Sequence, residues 1–444
     1  MRIIFVNVCS PFLLNDKGAP PLGVLQLAAI VRERGLAEVA VWDMTGDASL
    51  AEQFGSDCQT FISRGNFNLP AWLLERPDET ILALTSTSSQ YHSACNVLLA
   101  AKRCVPGMRV IIGGSHVSAL PDEALHDGFH AVFAGEADDA LPQWLRDGCP
   151  YGIVHCMAPR GLDRLPFPAR DLVNVQSYCS NMTMGEGLSS TLMHSRGCSF
   201  ACKYCVRTLG DAARLVRVRS VESALREADH LSMRYGIYRF VAVDDIWGIK
   251  RPWVERFCEV FGQSRFQFRV NCRANTIHFD LLPAMKRAGI DCISFGFESG
   301  DERVLHAISK NNVALNTKAV RACHDAGIFV KAYLIFGFAE DDGASVEATC
   351  RWIEEARPDS AQVAWLIPLP GTPIYQQAMA GGWTPAYHQL YHNGKDRRGG
   401  MSRLPWHSDE TAKYYEVLCE WLEAFYARPQ PAVQCPNALS ATEA

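Results

Sequence analysis

The first 145 residues alternate short apolar runs with longer amphipathic stretches. Ile3–Val8, Val39–Trp42, Ile81–Thr85, Val110–Ile112 and Ala131–Ala134 are runs of strand length. Helical patterns lie between several of them, as in Leu27, Ile30 and Val31 after Pro20-Pro21-Leu22-Gly23, and over His92–Arg103. Apolar runs separated by helices predict a parallel sheet covered on both faces. The carboxyl ends of these strands carry Ser86–Ser89, Gly113-Gly114 and Gly135-Glu136, and open parallel sheets bind ligands at that edge. Residues 146–190 are rich in Pro and Gly, including Leu165-Pro166-Phe167-Pro168, and predict an interdomain linker packed on the surface.

The alternation resumes over 191–378. Thr191–Met193, Arg239–Val243, Phe268–Asn271, Cys292–Phe295, Val330–Phe336 and Gln362–Ile367 predict six strands, with helices such as Leu281–Ala288 and Lys318–Ala326 between them. Polar residues and glycines gather just past these strands, where the active sites of (β/α) barrels sit. Over 379–444, Ser408 and Asp409 are good caps for an amphipathic helix, Glu410–Ala427. The tail beyond Pro429 has little to bury and is expected to be disordered. The fold class is therefore α/β: a doubly wound, Rossmann-like parallel sheet (1–145), a linker (146–190), a partial (β/α)6 barrel (191–378) and a small helical C-terminal region (379–444).

Composition adds limits. The 444 residues exceed one ordinary core, and 48% apolar with 20% charged residues is a globular balance. Lys plus Arg number 43 against 48 Asp plus Glu, a net charge of -5, so no basic excess suggests a nucleic-acid partner. The N-terminal apolar run is about six residues, too short for a signal peptide, and no stretch approaches the roughly 18 of a membrane span. A cytoplasmic protein is expected. Most of the 17 cysteines are scattered singly and read as small buried hydrophobes.

One group of cysteines is clustered: Cys198-Ser-Phe-Ala-Cys202-Lys-Tyr-Cys205. Three thiolates at this spacing can hold an iron–sulfur cluster from a single loop while leaving one iron open. Gly197 suits a tight turn around it. The competing arrangement is a Cys3His zinc site using His194, four residues before Cys198. The order of the triplet, with Tyr204 beside the last cysteine, resembles the radical S-adenosylmethionine superfamily. That resemblance implies a [4Fe-4S] cluster on Cys198, Cys202 and Cys205, with S-adenosylmethionine on its open iron. It also implies a 5′-deoxyadenosyl radical and an external electron donor such as flavodoxin or ferredoxin. Gly296-Phe297-Glu298-Ser299-Gly300 resembles the family segment that binds the ribose, through Glu298 and Ser299. The alternative is that Glu298 caps the next helix. Arg273 resembles a polar position facing the cofactor, against a solvated surface arginine. Asp244-Asp245 with Trp247 resembles the family's DD-x-F segment, so Asp245 and Tyr204 join the implied site; the alternative is a structural role for the acidic pair, through hydrogen bonds to nearby loops. Pro370-Gly371-Thr372-Pro373 resembles the late barrel turn.

The N-terminal glycines carry a second resemblance. Pro20-Pro21-Leu22-Gly23, Gly113-Gly114-Ser115-His116 and Gly135-Glu136 follow the order found in cobalamin-binding domains joined to radical S-adenosylmethionine barrels. Ser86, Thr87, Ser88, Gly113, Gly114, His116, Gly135 and Glu136 are the implied cobalamin contacts. The alternative is a sheet that keeps the shape without the cofactor. The Asp-x-His-x-x-Gly signature that supplies a cobalt ligand elsewhere is absent, and Cys9–Gly18 holds no histidine. His116 is expected to be a loop hydrogen-bonder. Together the resemblances imply a C-methyltransferase that methylates an unactivated carbon of a small metabolite or natural-product intermediate through methylcobalamin. Cyclisation or rearrangement on the same architecture is the alternative, and a cobalamin or Fe–S sensor a third reading. Glu298, Arg273 and Asp245 suit a built cavity better than a sensor. Tyr91, Trp247, Tyr333 and Trp365 are candidate cavity aromatics, with core packing as the alternative.

Overall fold

Runs that are apolar at every position have both faces covered, and this is what the first half of the chain builds. A computed structural model describes residues 1–9, 18–45, 69–178, 188–206, 215–385 and 403–427. Strands β1 (Arg2–Asn7), β2 (Glu38–Asp43), β3 (Thr80–Thr85), β4 (Arg109–Gly113), β5 (Ala131–Ala134) and β6 (Gly152–His155) form one parallel sheet. Their order is β2-β1-β3-β4-β5-β6. Alternate residues of each strand enter opposite cores. Ile4, Leu82 and Val110 pack towards Val97 and Leu98 of helix Tyr91–Cys104. Ile3, Phe5, Ala83, Ile111 and Phe133 face Val24 and Ala28 of helix Leu22–Glu33, and Leu141 of helix Ala140–Arg146.

Two features differ from the reading of 146–190 as a surface linker. Residues 152–155 are strand β6, paired with β5. As an edge strand it is half-exposed, with only Ile153 and Val154 apolar, so its pattern is too short to stand out. Residues 166–170 are also held inside the molecule. Pro166 O accepts from Gln26 Nε2 at 2.7 Å and Ala169 N donates to Leu25 O at 3.0 Å. Arg170 is buried, donating to Glu227 Oε1 at 2.6 Å and to Thr191 O at 2.7 Å.

The second half supplies β7 (Ser189–Leu192), β8 (Ser195–Arg196), β9 (Arg217–Val218), β10 (Arg239–Ala242), β11 (Gln267–Cys272), β12 (Ile290–Glu298), β13 (Phe329–Phe336) and β14 (Ser360–Trp365). Six of these form the parallel sheet of the partial barrel, in order β7-β10-β11-β12-β13-β14, while β8 and β9 make a short antiparallel ribbon at its mouth. In β11, Phe268, Val270 and Cys272 are buried against the outer helices, and Gln267, Arg269 and Asn271 keep partial exposure on the concave side. The helices over Val221–Tyr235, Arg251–Phe261, Val313–Asp325 and Gly343–Ala356 form the outer layer. Helix Thr411–Ala427 sets Tyr415, Leu418 and Leu422 into the same core. The tail beyond Pro429 lies outside the described residues. Among the described residues no helix is long and apolar enough to cross a membrane.

Candidate active site

The carboxyl edge of the first sheet and the mouth of the barrel enclose one cavity of about 830 Å³. The sheet side contributes an apolar slot between Phe5, Ala83, Ile111 and Phe133 and the helix residues Val24, Leu27 and Leu141. Gly113, Gly114, Gly135 and Glu136 stand at its rim, and Met193, Ser195, Arg196, Gly197, Val243 and Asp245 close it from the barrel. Two rim glycines are required by the backbone. At Gly114 (φ +109°) a Cβ would lie 2.3 Å from Ser86 O, and at Gly135 (φ +112°) it would lie 2.6 Å from Cys156 O. A long slot with an apolar floor and a polar rim fits the nucleotide tail and corrin edge of a cobalamin.

Ser86, Thr87, Ser88 and His116 do not line this cavity. They brace the loop that presents the glycines. Ser86 N donates to Gly113 O at 3.0 Å, and Ser88 Oγ lies 3.0 Å from His116 Nδ1. The His116 ring packs on Tyr91 at 4.1 Å. His155 and Cys156 do line the cavity. The sequence reading missed them because it missed the strand, β6, that ends there.

The cysteine loop leaves β8 at the cavity wall. Asp245 Oδ2 accepts from Gly197 N at 2.8 Å, and Asp244 accepts from Ser195 Oγ at 2.5 Å, so the acidic pair after β10 fixes the start of the loop. Arg273 is 8% exposed, which removes the surface-arginine reading. Its Nη1 donates to Cys202 Sγ at 3.2 Å, its Nη2 to Ser309 O at 2.9 Å and its Nε to Asn311 Oδ1 at 3.1 Å. Its guanidinium also lies 4.2 Å from the Phe200 ring centre. Burial pushes the Cys198 thiol above its ordinary value, so bound iron has to drive its ionisation. His194 is 1% exposed and turned to Asp244 Oδ2 at 3.2 Å, ringed by Trp253, Phe257 and Phe268. That placement removes it from a zinc site with the cysteines. Among the described residues no three His, Cys, Asp or Glu gather around a single ion. A loop of three thiols suits a cluster, whose own irons and sulfides span the distances between ligands.

Glu298 ends β12 in a left-handed conformation (φ +70°), where the pairing with β13 slips between Gly296 and Glu298. This turns its carboxylate toward the cysteine loop. Oε1 accepts from Tyr204 Oη at 2.7 Å and from Lys310 Nζ at 3.0 Å. Burial, then Glu298, pushes the Tyr204 phenol well above its ordinary pKa, so it stays a donor. Glu298 does not cap the next helix; Asp301 does, accepting from Arg303 N at 2.7 Å. Ser299 Oγ accepts from Asp301 N at 3.1 Å and is 3% exposed. Lys310 carried no motif, and only the fold reveals it.

None of the four candidate aromatics lines the large cavity. Tyr91 donates to Asp127 at 2.6 Å, Trp247 packs with Trp253 and Phe257, and Trp365 packs on His407 and Tyr415. Tyr333 accepts from Arg269 Nη2 at 2.6 Å.

Glu136 faces two arginines of the barrel ribbon. Arg196 Nη1 donates to it at 2.8 Å, and Arg217 pairs with its other oxygen. Arg196 also grips Asp138 through two bonds, at 2.7 and 3.1 Å. Burial opposes ionisation of Glu136, but Arg217 and Arg196 together hold its pKa below the ordinary carboxylate value.

Residues 192–353 match the family model of the Radical SAM superfamily. An uncharacterized methyltransferase of Pyrococcus horikoshii is 28% identical over 385 residues, 81% of this chain and 79% of its own length. Among solved structures, the radical S-adenosylmethionine methyltransferase TsrM of Kitasatospora setae, with cobalamin and a [4Fe-4S] cluster bound, superposes with a TM-score of 0.67 and 14% identity. That match covers 95% of this chain and 88% of TsrM. The cobalamin-dependent S-adenosylmethionine radical enzyme OxsB, with aqua-cobalamin and S-adenosylmethionine bound, gives 0.68 and 15%, over 96% of this chain and 67% of OxsB. At these identities the structural likeness is one of fold, and it spans both halves of the chain.

Proposed function

We propose that this chain is a cobalamin-dependent radical S-adenosylmethionine methyltransferase that methylates an unactivated carbon of a small metabolite or natural-product intermediate. One observation carries the reading: the glycine-marked sheet edge and the residues on either side of the cysteine loop, Gly197 and Val206, wall the same cavity. A design with two cofactors needs that arrangement, because each must reach the same substrate atom. Cys198, Cys202 and Cys205 hold the [4Fe-4S] cluster. Tyr204, Asp245, Arg273, Glu298 and Ser299 surround S-adenosylmethionine. Gly113, Gly114, Gly135 and Glu136 form the cobalamin rim, with Ser86, Thr87, Ser88 and His116 shaping the loops behind it. When bound, these groups supply a 5′-deoxyadenosyl radical to activate the carbon and a methyl group to place on it.

The protein's own part is binding, orientation and exclusion of water. The Asp244-Asp245 pair holds the loop ahead of the first cysteine, and Arg273 donates to a cluster ligand. The apolar slot keeps solvent from the reacting centre. An external flavodoxin or ferredoxin supplies electrons. Among the described residues no two cysteines form a disulfide, which suits a reducing cytoplasm.

Anaerobically reconstituted protein, given S-adenosylmethionine and a reductant, should form 5′-deoxyadenosine. Absence of this product in every cluster state would sink the reading. Dependence on added methylcobalamin, with S-adenosylhomocysteine as co-product, selects methyl transfer over rearrangement.

A further inference from the structure

The ribbon β8–β9 is two residues per strand. A ribbon this short cannot hold itself together in water. Its register also places Arg196 directly across from Arg217, and like charges opposite each other push a pair of strands apart. The opposing charges come from the other half of the chain. Glu136 and Asp138 follow β5 of the first sheet, and Glu136 lies between the two guanidinium groups. Asp138 takes Arg196 in a fork of two bonds. All four side chains are largely buried, at 16% (Arg196), 6% (Arg217), 28% (Glu136) and 5% (Asp138) exposure. Arg217 is further tied to Pro159 O at 3.0 Å, just past β6. The cluster therefore balances two positive against two negative charges at the seam between the halves.

Its place in the chain gives it a consequence. Arg196 is followed at once by Gly197 and Cys198, while Glu136 follows Gly135 at the rim of the slot. The cluster thus joins the strand that leads into the cysteine loop to the segment that frames the cavity's other side. The Asp244-Asp245 pair ties the loop to the barrel, and among the described residues Arg196 ties it to the first sheet by a charged fork. A guanidinium fork fixes direction as well as distance, which a lysine cannot do.

We propose that Arg196 is a positioning residue: with Glu136, Asp138 and Arg217 it sets the distance and angle between the cluster loop and the cobalamin rim. The inference rests on the two-cofactor reading above. Relative placement matters because a 1 Å error in a reacting geometry can cost about 100-fold in rate.

The test measures placement and not turnover. Full-length protein is loaded with the cluster and with cob(II)alamin, the cluster is reduced, and the dipolar coupling between the two paramagnetic centres is read by pulsed EPR. The wild type should give one narrow distance. Arg196→Gln, which removes the charge and the fork, should at least double the width of the distribution or shift its centre, at unchanged iron and cobalamin content. Arg196→Lys should recover part of the narrowing, because it restores the charge alone. Asp138→Asn, which leaves Glu136 in place, should broaden it less than Arg196→Gln and serves if that variant fails to fold. An unchanged distribution in both Arg196→Gln and Asp138→Asn overturns the proposal. Wild-type protein that takes up only one of the two cofactors overturns the functional reading beneath it, a result distinct from an unchanged distance.

Discussion

Arg273 illustrates how a contact gives a residue its role. Its Nη1 points at Cys202 Sγ from 3.2 Å, with its other nitrogens engaged by Ser309 and Asn311. Hydrogen bonds and positive charge at a cluster's sulfur ligands stabilise the reduced, more negative state. Arg273→Met, similar in bulk but without donors, should therefore lower the cluster's reduction potential, as read by an EPR-monitored redox titration. A potential equal to that of the wild type would show that the 3.2 Å contact is not kept once the cluster is present. Gly114 makes the complementary point about the backbone. Its φ of +109° and the 2.3 Å approach of a Cβ to Ser86 O leave no room for a side chain. Gly114→Ala should destabilise the fold by at least about 1–3 kcal/mol, seen as a lower thermal midpoint. This glycine was legible in the sequence because it stands in a Gly-Gly pair directly after a strand. Lys310 and Arg196 were not, because nothing near them in the chain announces Glu298 or Glu136 as their partners.

At the scale of elements, strands of the barrel were readable where every second residue is buried, as in β11 and β13, and strands of the first sheet where a continuous run is buried, as in β1. The misses fall where burial is partial. Edge strand β6 offers too few apolar positions, and β7 starts at Ser189-Ser190, earlier than its apolar residues suggest. The 166–170 segment looked like a surface linker because its burial rests on ion pairs, not on an apolar pattern. Glu227 on helix Val221–Tyr235 is 2% exposed between Arg170 and Arg219. Glu227→Gln would leave two buried arginines without their carboxylate, and a loss of about 3–5 kcal/mol is expected in denaturant unfolding. A variant as stable as the wild type would mean that water reaches the triad. The turn after β13 gives a pH signature. Asp341 accepts from Gly337 N at 2.8 Å and Phe338 N at 2.9 Å, yet burial outweighs these bonds and pushes its pKa to about 6. A carboxyl raised in the folded state binds a proton there that the unfolded chain has already released. Its contribution to stability is thus full below the ordinary aspartate range and lost as pH rises through about 6. Glu136, held below its ordinary value, works the other way at lower pH. The difference between wild type and Asp341→Asn isolates the turn. The wild type should lose thermal midpoint from pH 4 to 6 relative to the variant, and parallel curves would refute the assignment.

At the scale of the whole molecule, the cavity belongs to neither half alone. Leu22, Val24, Leu27, Gly113, Gly114 and Gly135 come from the first sheet and its helices, and Met193, Ser195, Arg196, Gly197, Val243 and Asp245 from the barrel. A ligand that fills such a cavity binds the docked state and not the separated halves, so its binding energy is added to the docking of the domains. Linkage sets the size of the effect: a ligand at 100 times its Kd stabilises by about 2.7 kcal/mol. Hydroxocobalamin should accordingly raise the calorimetric midpoint of the full chain and draw the unfolding of the two halves together into one sharper transition. Gly135 offers the control. It lines the cavity, and its Cβ would sit 2.6 Å from Cys156 O, the backbone just past β6. Gly135→Val should force the β5 and β6 ends apart at the rim and lose most of the hydroxocobalamin-induced shift, beyond any fall in its own starting midpoint. Hydroxocobalamin that sharpens only a low-temperature step and leaves the barrel's transition where it was overturns this expectation. In that case the cofactor would be held by the first sheet alone, and the barrel residues at the cavity wall would be neighbours of the site and not part of it.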